Sequence, residues 1–79
     1  KKNKMRTENG LDFIEVIEIV NKLQFISYKI TTDDVLEIIF EEEILAKDMR
    51  VITAFVNENN LKSSVSSSEG SLINLDIQL

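Results

Sequence analysis

Cysteine and histidine are both absent from this chain, and their absence narrows the chemistry available to it. Without cysteine there are no disulfides and no thiolate metal ligands. Without histidine the chain lacks the commonest general base and the commonest transition-metal ligand. We therefore expect no metal site and no cofactor, and we expect the protein not to be an enzyme.

Glycine is scarce, and proline and tryptophan are absent. Gly10 and Gly70 stand alone in the sequence, so they cannot form the glycine-rich loop that cradles phosphate groups. A calcium-binding loop needs acids at alternating positions around a glycine, and the pair Asp33 and Asp34 has no such glycine. Weak Mg²⁺ or Ca²⁺ contact at this pair is a minor alternative to a structural role in a turn.

Long apolar runs are missing as well. No run approaches the roughly 18 residues of a membrane-spanning helix, so we expect no membrane span. The 79 residues, 43% of them hydrophobic, suit one domain, and a domain of this size buries roughly 60% of its unfolded surface. Because no signal-like segment is visible, a cytoplasmic location is the default expectation, although the first residue, Lys1, indicates a processed or excised chain.

Positive charge is concentrated in the first six residues, which carry four positive charges and no negative ones. Residues 7–79 carry five positive and fourteen negative charges, a net charge of −9. We predict a basic flexible tail at 1–8, or else a short edge strand, followed by an acidic domain at 9–79. An acidic domain repels phosphate groups, so a nucleic-acid partner is unlikely in this reading, although the tail alone could reach nucleic acid or anionic lipid.

Residues 24–43 have the pattern of a β-hairpin, with two alternating runs on either side of a polar turn at 31–34. The alternation predicts a core-facing set on each strand: Ile26, Tyr28 and Ile30, then Leu36, Ile38 and Phe40. The opposite face mixes polar residues with Phe25, Val35 and Ile39. It is too apolar for a solvated sheet surface, so we predict that another segment, a second copy or a partner covers it.

Two helices are predicted, one before and one after this hairpin. Segment 11–23 is rich in isoleucine and valine, but its polar residues recur every third position, which favours a helix over a strand. Asn9 is the expected N-cap. The second helix is predicted over about 42–58 with the acids at 41–43 in its first turn, where the helix dipole favours them. Its apolar stripe is Leu45, Met49, Ile52 and Val56.

The last segment predicts a second hairpin, with a weak strand at 61–65, a serine-rich turn at 66–70 and a strand at 71–79. The fold class is therefore α+β: a single small domain in the order helix–β-hairpin–helix–β-hairpin (αββαββ), with an antiparallel sheet. The two halves resemble each other weakly, which indicates either duplication or shared turn preferences. The strand at 71–79 lacks proline and lysine, so we predict that it is an unprotected edge.

A role in protein–protein interaction is the leading hypothesis for so small and acidic a chain. It would be an adaptor, an inhibitor or an immunity-type binder, and its acidic surface could imitate nucleic acid. The alternative is a structural domain that associates with copies of itself, as a homodimer or within a larger assembly. The candidate partner-binding residues are Phe25, Val35, Ile39, Glu41, Glu42 and Glu43.

Overall fold

The protein is described by a computed structural model over residues 6–67 and 69–79. Its elements are α1 (Phe13–Val20), β1 (Ser27–Ile30), β2 (Val35–Glu41), α2 (Ala46–Glu58), β3 (Lys62–Ser67) and β4 (Leu72–Gln78). The strands form one antiparallel sheet in the order β1-β2-β4-β3. The predicted α+β architecture of two helices and two hairpins is confirmed.

The central strands β2 and β4 carry the hydrophobic core. Leu36 pairs with Ile77 and Ile38 pairs with Leu75, and all four side chains are at most 1% exposed. Successive strand residues point to opposite faces, so this apolar row is the face that the helices cover. Both helices contribute buried residues to it: Val16, Val20, Ile52 and Phe55. Burial of each such side chain stabilises the fold by about 1.5–3 kcal/mol.

The first helix is shorter than the predicted segment and has a different cap. Asp12 has an extended backbone, and its carboxylate accepts a hydrogen bond from the Ile14 N–H at 2.8 Å. This geometry satisfies one of the free N–H groups at the helix start. Asn9, the predicted cap, instead donates its backbone N–H to the carbonyl of Leu79. The prediction of a helix rather than a strand is confirmed over Phe13–Val20.

The second helix begins later than predicted, and the three glutamates lie outside it. Glu41 is the last residue of β2, and α2 starts only at Ala46. Between them Glu42 has a left-handed backbone with φ of 70°, a conformation that a right-handed helix cannot include. The prediction that residues 41–43 form the first turn of this helix is therefore wrong.

Neither of the two described helices is long and apolar enough to cross a membrane.

The strand at 71–79 is not at an edge of the sheet. The strand predicted as an unprotected edge is β4, which pairs with β2 on one side and β3 on the other. That prediction is wrong, because the pairing of β2 with β4 leaves β1 and β3 as the outer strands. Every residue of β3 is exposed.

The N-terminal segment is hydrogen-bonded to the C-terminal end of the chain. Residues 1–5 of the predicted tail lie outside the described residues, but residues 6–8 contact the domain. Thr7 is 6% exposed and donates its hydroxyl to the Leu79 carbonyl at 2.8 Å. The Glu8 N–H donates to the Asp34 carboxylate at 2.7 Å. These hydrogen bonds therefore join the N-terminal segment to the β1–β2 turn and to the end of β4.

The buried side of α2 can be tested with two substitutions on the predicted stripe. Ile52 is 3% exposed, whereas Met49 is 36% exposed. We expect Ile52→Ala to lower the free energy of unfolding by about 2–4 kcal/mol, because it removes packed methylene groups and leaves a cavity. Met49→Ala should cost less than about 1 kcal/mol. Urea denaturation measures both, and equal losses would contradict the observed orientation of the helix.

Candidate protein-binding cleft

A cleft lies where the segment before β1 meets the end of β2, and we call it the acidic cleft. One side is apolar and is formed by Leu23, Phe25, Ile26 and Leu45. The other side carries three exposed carboxylates, those of Glu41, Glu42 and Glu43. Of the predicted partner-binding residues, the structure thus brings Phe25 and the three glutamates together.

The apolar side combines a fixed aromatic ring with an exposed aliphatic side chain. Phe25 precedes β1 and packs partly buried against the core, with its ring edge-on to that of Tyr28 at a centroid distance of 5.5 Å. The next residue, Ile26, is 52% exposed although its backbone N–H is bonded to the Ile39 carbonyl at 2.7 Å. An exposed isoleucine beside a half-buried phenylalanine offers apolar area on a backbone that is already ordered.

The acidic side owes its geometry to a sharp turn after β2. The Glu42 N–H donates to the Ser71 carbonyl at 2.7 Å, and the Glu43 N–H donates to the Glu41 carbonyl at 2.7 Å. Within the described part of the chain, none of the three carboxylates has a cationic partner within 4 Å. Three consecutive carboxylates give this end of the described structure a locally negative potential.

Glu42 is held in a conformation that disfavours a side chain. Its φ of 70° lies in the left-handed region, which costs a residue other than glycine about 1–2 kcal/mol. Glycine adopts the same conformation without this cost. Strained residues persist where the surrounding structure imposes them, and they cluster at functional sites.

A buried acid, Asp48, fixes the backbone of the segment that forms the apolar side of the cleft. Asp48 is 1% exposed, and its carboxylate accepts a hydrogen bond from the Gln24 N–H at 2.9 Å. The other carboxylate oxygen lies 3.1 Å from the Lys47 ammonium. Asp48 thus attaches the segment before β1 to α2. Sequence reasoning missed it, although Asp48, Ile52 and Phe55 have the i, i+4, i+7 spacing of one helix face.

Val35 and Ile39, the other two predicted partner-binding residues, lie away from the cleft. Both belong to β2 and point to the sheet face opposite the helices, where they are partly buried. Ile39 stands between Ser27 and Asn74 in neighbouring strands, and Val35 stands beside Gln78. On this face each apolar residue has polar neighbours, so the two do not form one continuous apolar surface.

The acidic pair at the first turn has a structural role. The Thr31 hydroxyl accepts hydrogen bonds from the N–H groups of Asp33 and Val35 at 3.2 and 3.1 Å. Asp34 is 3% exposed, and its carboxylate is bonded to the Glu8 N–H. Among the described residues, no group of three or more acidic side chains is arranged to hold a metal ion.

No protein-family model, curated protein or solved structure matches this chain. What the protein binds is therefore inferred from the chemistry of its own surfaces. Among the described surfaces, the acidic cleft combines exposed apolar area with unpaired charge of one sign.

Because the backbone of Glu42 is strained, replacing this residue with glycine should stabilise the fold. Glu42→Gly should raise the free energy of unfolding by roughly 0.5–1 kcal/mol, because relief of the left-handed penalty exceeds the extra entropy of glycine in the unfolded chain. Glu43→Gly is the matched control, since its backbone is not left-handed, and it should not stabilise the fold. Urea denaturation compares the two, and a loss of stability in Glu42→Gly would contradict the strain at this position.

Removal of the buried carboxylate should loosen the apolar side of the cleft. Asp48→Ala leaves the Gln24 N–H without its acceptor, so we expect a loss of about 1–3 kcal/mol and faster hydrogen exchange at Gln24. Lys47→Ala should cost less than about 1 kcal/mol, because the pair that it forms is largely open to solvent on the lysine side. Unchanged exchange at Gln24 in Asp48→Ala would show that the carboxylate does not hold this segment.

Proposed function

We propose that this protein is a small non-enzymatic protein-interaction module whose acidic cleft binds a basic, apolar-anchored segment of a partner protein. The observation that carries the proposal is that the exposed Ile26 lies in one cleft with the carboxylates of Glu41, Glu42 and Glu43, which have no cationic partner within 4 Å among residues 6–67 and 69–79. A partner segment that carries an apolar side chain next to lysine or arginine matches both sides of it. Such a protein would act as an adaptor or an inhibitor.

Apolar contact is expected to supply most of the affinity. A partner side chain that becomes buried against Phe25 and Ile26 contributes about 1.5–3 kcal/mol. An exposed ion pair with one of the glutamates contributes only about 0.2–1 kcal/mol. The charges instead select the partner, because they accelerate encounter with a basic segment and disfavour an acidic one.

The same charges argue against anionic partners at this cleft. Residues 7–79 have a net charge of −9, and three of the negative charges, those of Glu41, Glu42 and Glu43, lie at the point of contact without a cationic partner within 4 Å in the described part of the chain. Phosphate groups of a nucleic acid or of an anionic lipid would be repelled here. A basic segment of a protein is therefore the partner that the cleft suits best.

The proposal is tested by NMR titration of the isotope-labelled protein with two synthetic peptides. One peptide alternates Lys-Leu pairs and the other alternates Glu-Leu pairs, so that they differ in charge but share the same apolar side chains. We expect the Lys-Leu peptide to bind, to shift the amide signals of residues 23–26 and 41–45, and to bind less tightly at high salt.

Charge reversal in the cleft should invert this preference. The double variant Glu42→Lys and Glu43→Lys should bind the Lys-Leu peptide about tenfold or more weakly, because attraction becomes repulsion at two positions. Glu58→Lys, at the opposite end of α2, has the same charge change per residue and should bind as the wild type does. Equal binding of both peptides by the wild type, or signal shifts confined to other residues, would refute the proposal.

A further inference from the structure

Asn9 and Gly10 form the one Asn-Gly pair in the sequence. This pair is prone to spontaneous deamidation, because glycine has no Cβ that would keep its backbone nitrogen away from the side-chain amide before it. Asn9 is exposed, and among residues 6–67 and 69–79 its side-chain amide has no hydrogen-bond partner. The space around Gly10 is also open, since no described atom beyond its chain neighbours lies within 4 Å of the place that a Cβ would occupy there.

In the folded protein, hydrogen bonds keep the Gly10 nitrogen out of this reaction. The Gly10 N–H donates to the Thr7 carbonyl at 2.9 Å, and the nitrogen must lose this proton before it can attack. The Asn9 N–H donates to the Leu79 carbonyl at 3.0 Å. The Thr7 hydroxyl donates to the same carbonyl at 2.8 Å and accepts the Leu11 N–H at 3.0 Å. The reaction rate therefore follows the population of the form in which these bonds are open.

We propose that Asn9 is a deamidation site controlled by these hydrogen bonds, and that its isoaspartate product releases the N-terminal segment from Leu79. In the open form the Gly10 nitrogen gives its proton to a base in the solvent and attacks Cγ of Asn9. The new bond closes a succinimide ring, and the side-chain nitrogen takes up a proton and leaves as ammonia. Water then opens the ring at one of its carbonyls, which yields aspartate or isoaspartate. This site shares no residue with the acidic cleft and does not depend on the function proposed for it.

Isoaspartate alters the main chain at the point where the hydrogen bonds are made. Its backbone continues through the former side chain, so an extra methylene group separates the N–H of residue 9 from the Gly10 N–H. The closed segment uses both groups at once, the first on Leu79 and the second on Thr7. The longer spacing cannot serve both acceptors in the same geometry. Aspartate, the other product, leaves the main chain unchanged and should keep the segment in place.

Peptide mapping by mass spectrometry, during incubation of the full chain at mildly alkaline pH, measures the rate at Asn9. In the folded wild type we expect Asn9 to deamidate faster than the asparagines that precede larger residues, and faster still in urea, where the hydrogen bonds are lost. Thr7→Val should raise the rate in the folded protein about tenfold, because it removes both bonds of the hydroxyl. Thr7→Ser, which restores the hydroxyl, should return the rate towards that of the wild type. Ile52→Ala destabilises the core away from this segment and should leave the rate unchanged.

Hydrogen exchange tests the release of the segment. The isoaspartate form is separated by chromatography, and its amides of Thr7 and Leu11 should exchange about tenfold or more faster than in the wild type. Asn9→Asp is the matched control, since it adds the same charge without the methylene group, and it should keep slow exchange. An equal rate at Asn9 in the folded protein and in urea would overturn the proposal, and this comparison needs no substitution. Slow exchange in the isoaspartate form would overturn the release.

Discussion

Seven consecutive residue pairs join β2 to β4, from Val35 with Gln78 to Glu41 with Leu72. The rest of the structure depends on this pairing, because it connects the two helix–hairpin halves and forms the apolar face under both helices. The pairing also determines which strands lie at the edges of the sheet. Since β2 and β4 occupy the centre of the sheet, β1 and β3 become its edges, and the turn after Glu41 lies at one end. Each half contributes one central strand and one edge strand to the sheet.

Local periodicity in the sequence was sufficient to predict the elements but not their arrangement. Alternation identified both hairpins, and the three-residue recurrence of polar side chains identified α1 despite its β-branched content. The order of the strands depends on contacts between residues far apart in the chain. The pattern of β4, apolar on one face and polar on the other, is the same for a central strand as for an edge strand, so the sequence could not show that β4 lies inside the sheet.

The arrangement of the candidate site also depends on contacts between residues that are far apart in the chain. Residues 41–43 have the composition of a helix N-terminus, but β2 runs through Glu41, and the Glu42 N–H is bonded to Ser71, 29 positions further along the chain. A nonlocal hydrogen bond therefore decides whether these acids begin a helix or form the rim of a cleft. Alternation predicts Phe25 on the outer sheet face, yet this residue precedes β1 and packs beside the core. Strand alternation proposes Phe25, and the run of acids proposes Glu41, Glu42 and Glu43, but only the strand pairing brings these four residues together.

Charge disfavours a second copy of this chain at the acidic cleft. Copies of a domain with a net charge of −9 over residues 7–79 repel each other at most orientations. The cleft adds to this repulsion, because Glu41, Glu42 and Glu43 have no cationic partner within 4 Å among the described residues. A basic segment of a partner protein is instead attracted to the cleft. The proposed preference of the cleft for its partner therefore rests on the distribution of charge rather than on the amount of apolar surface.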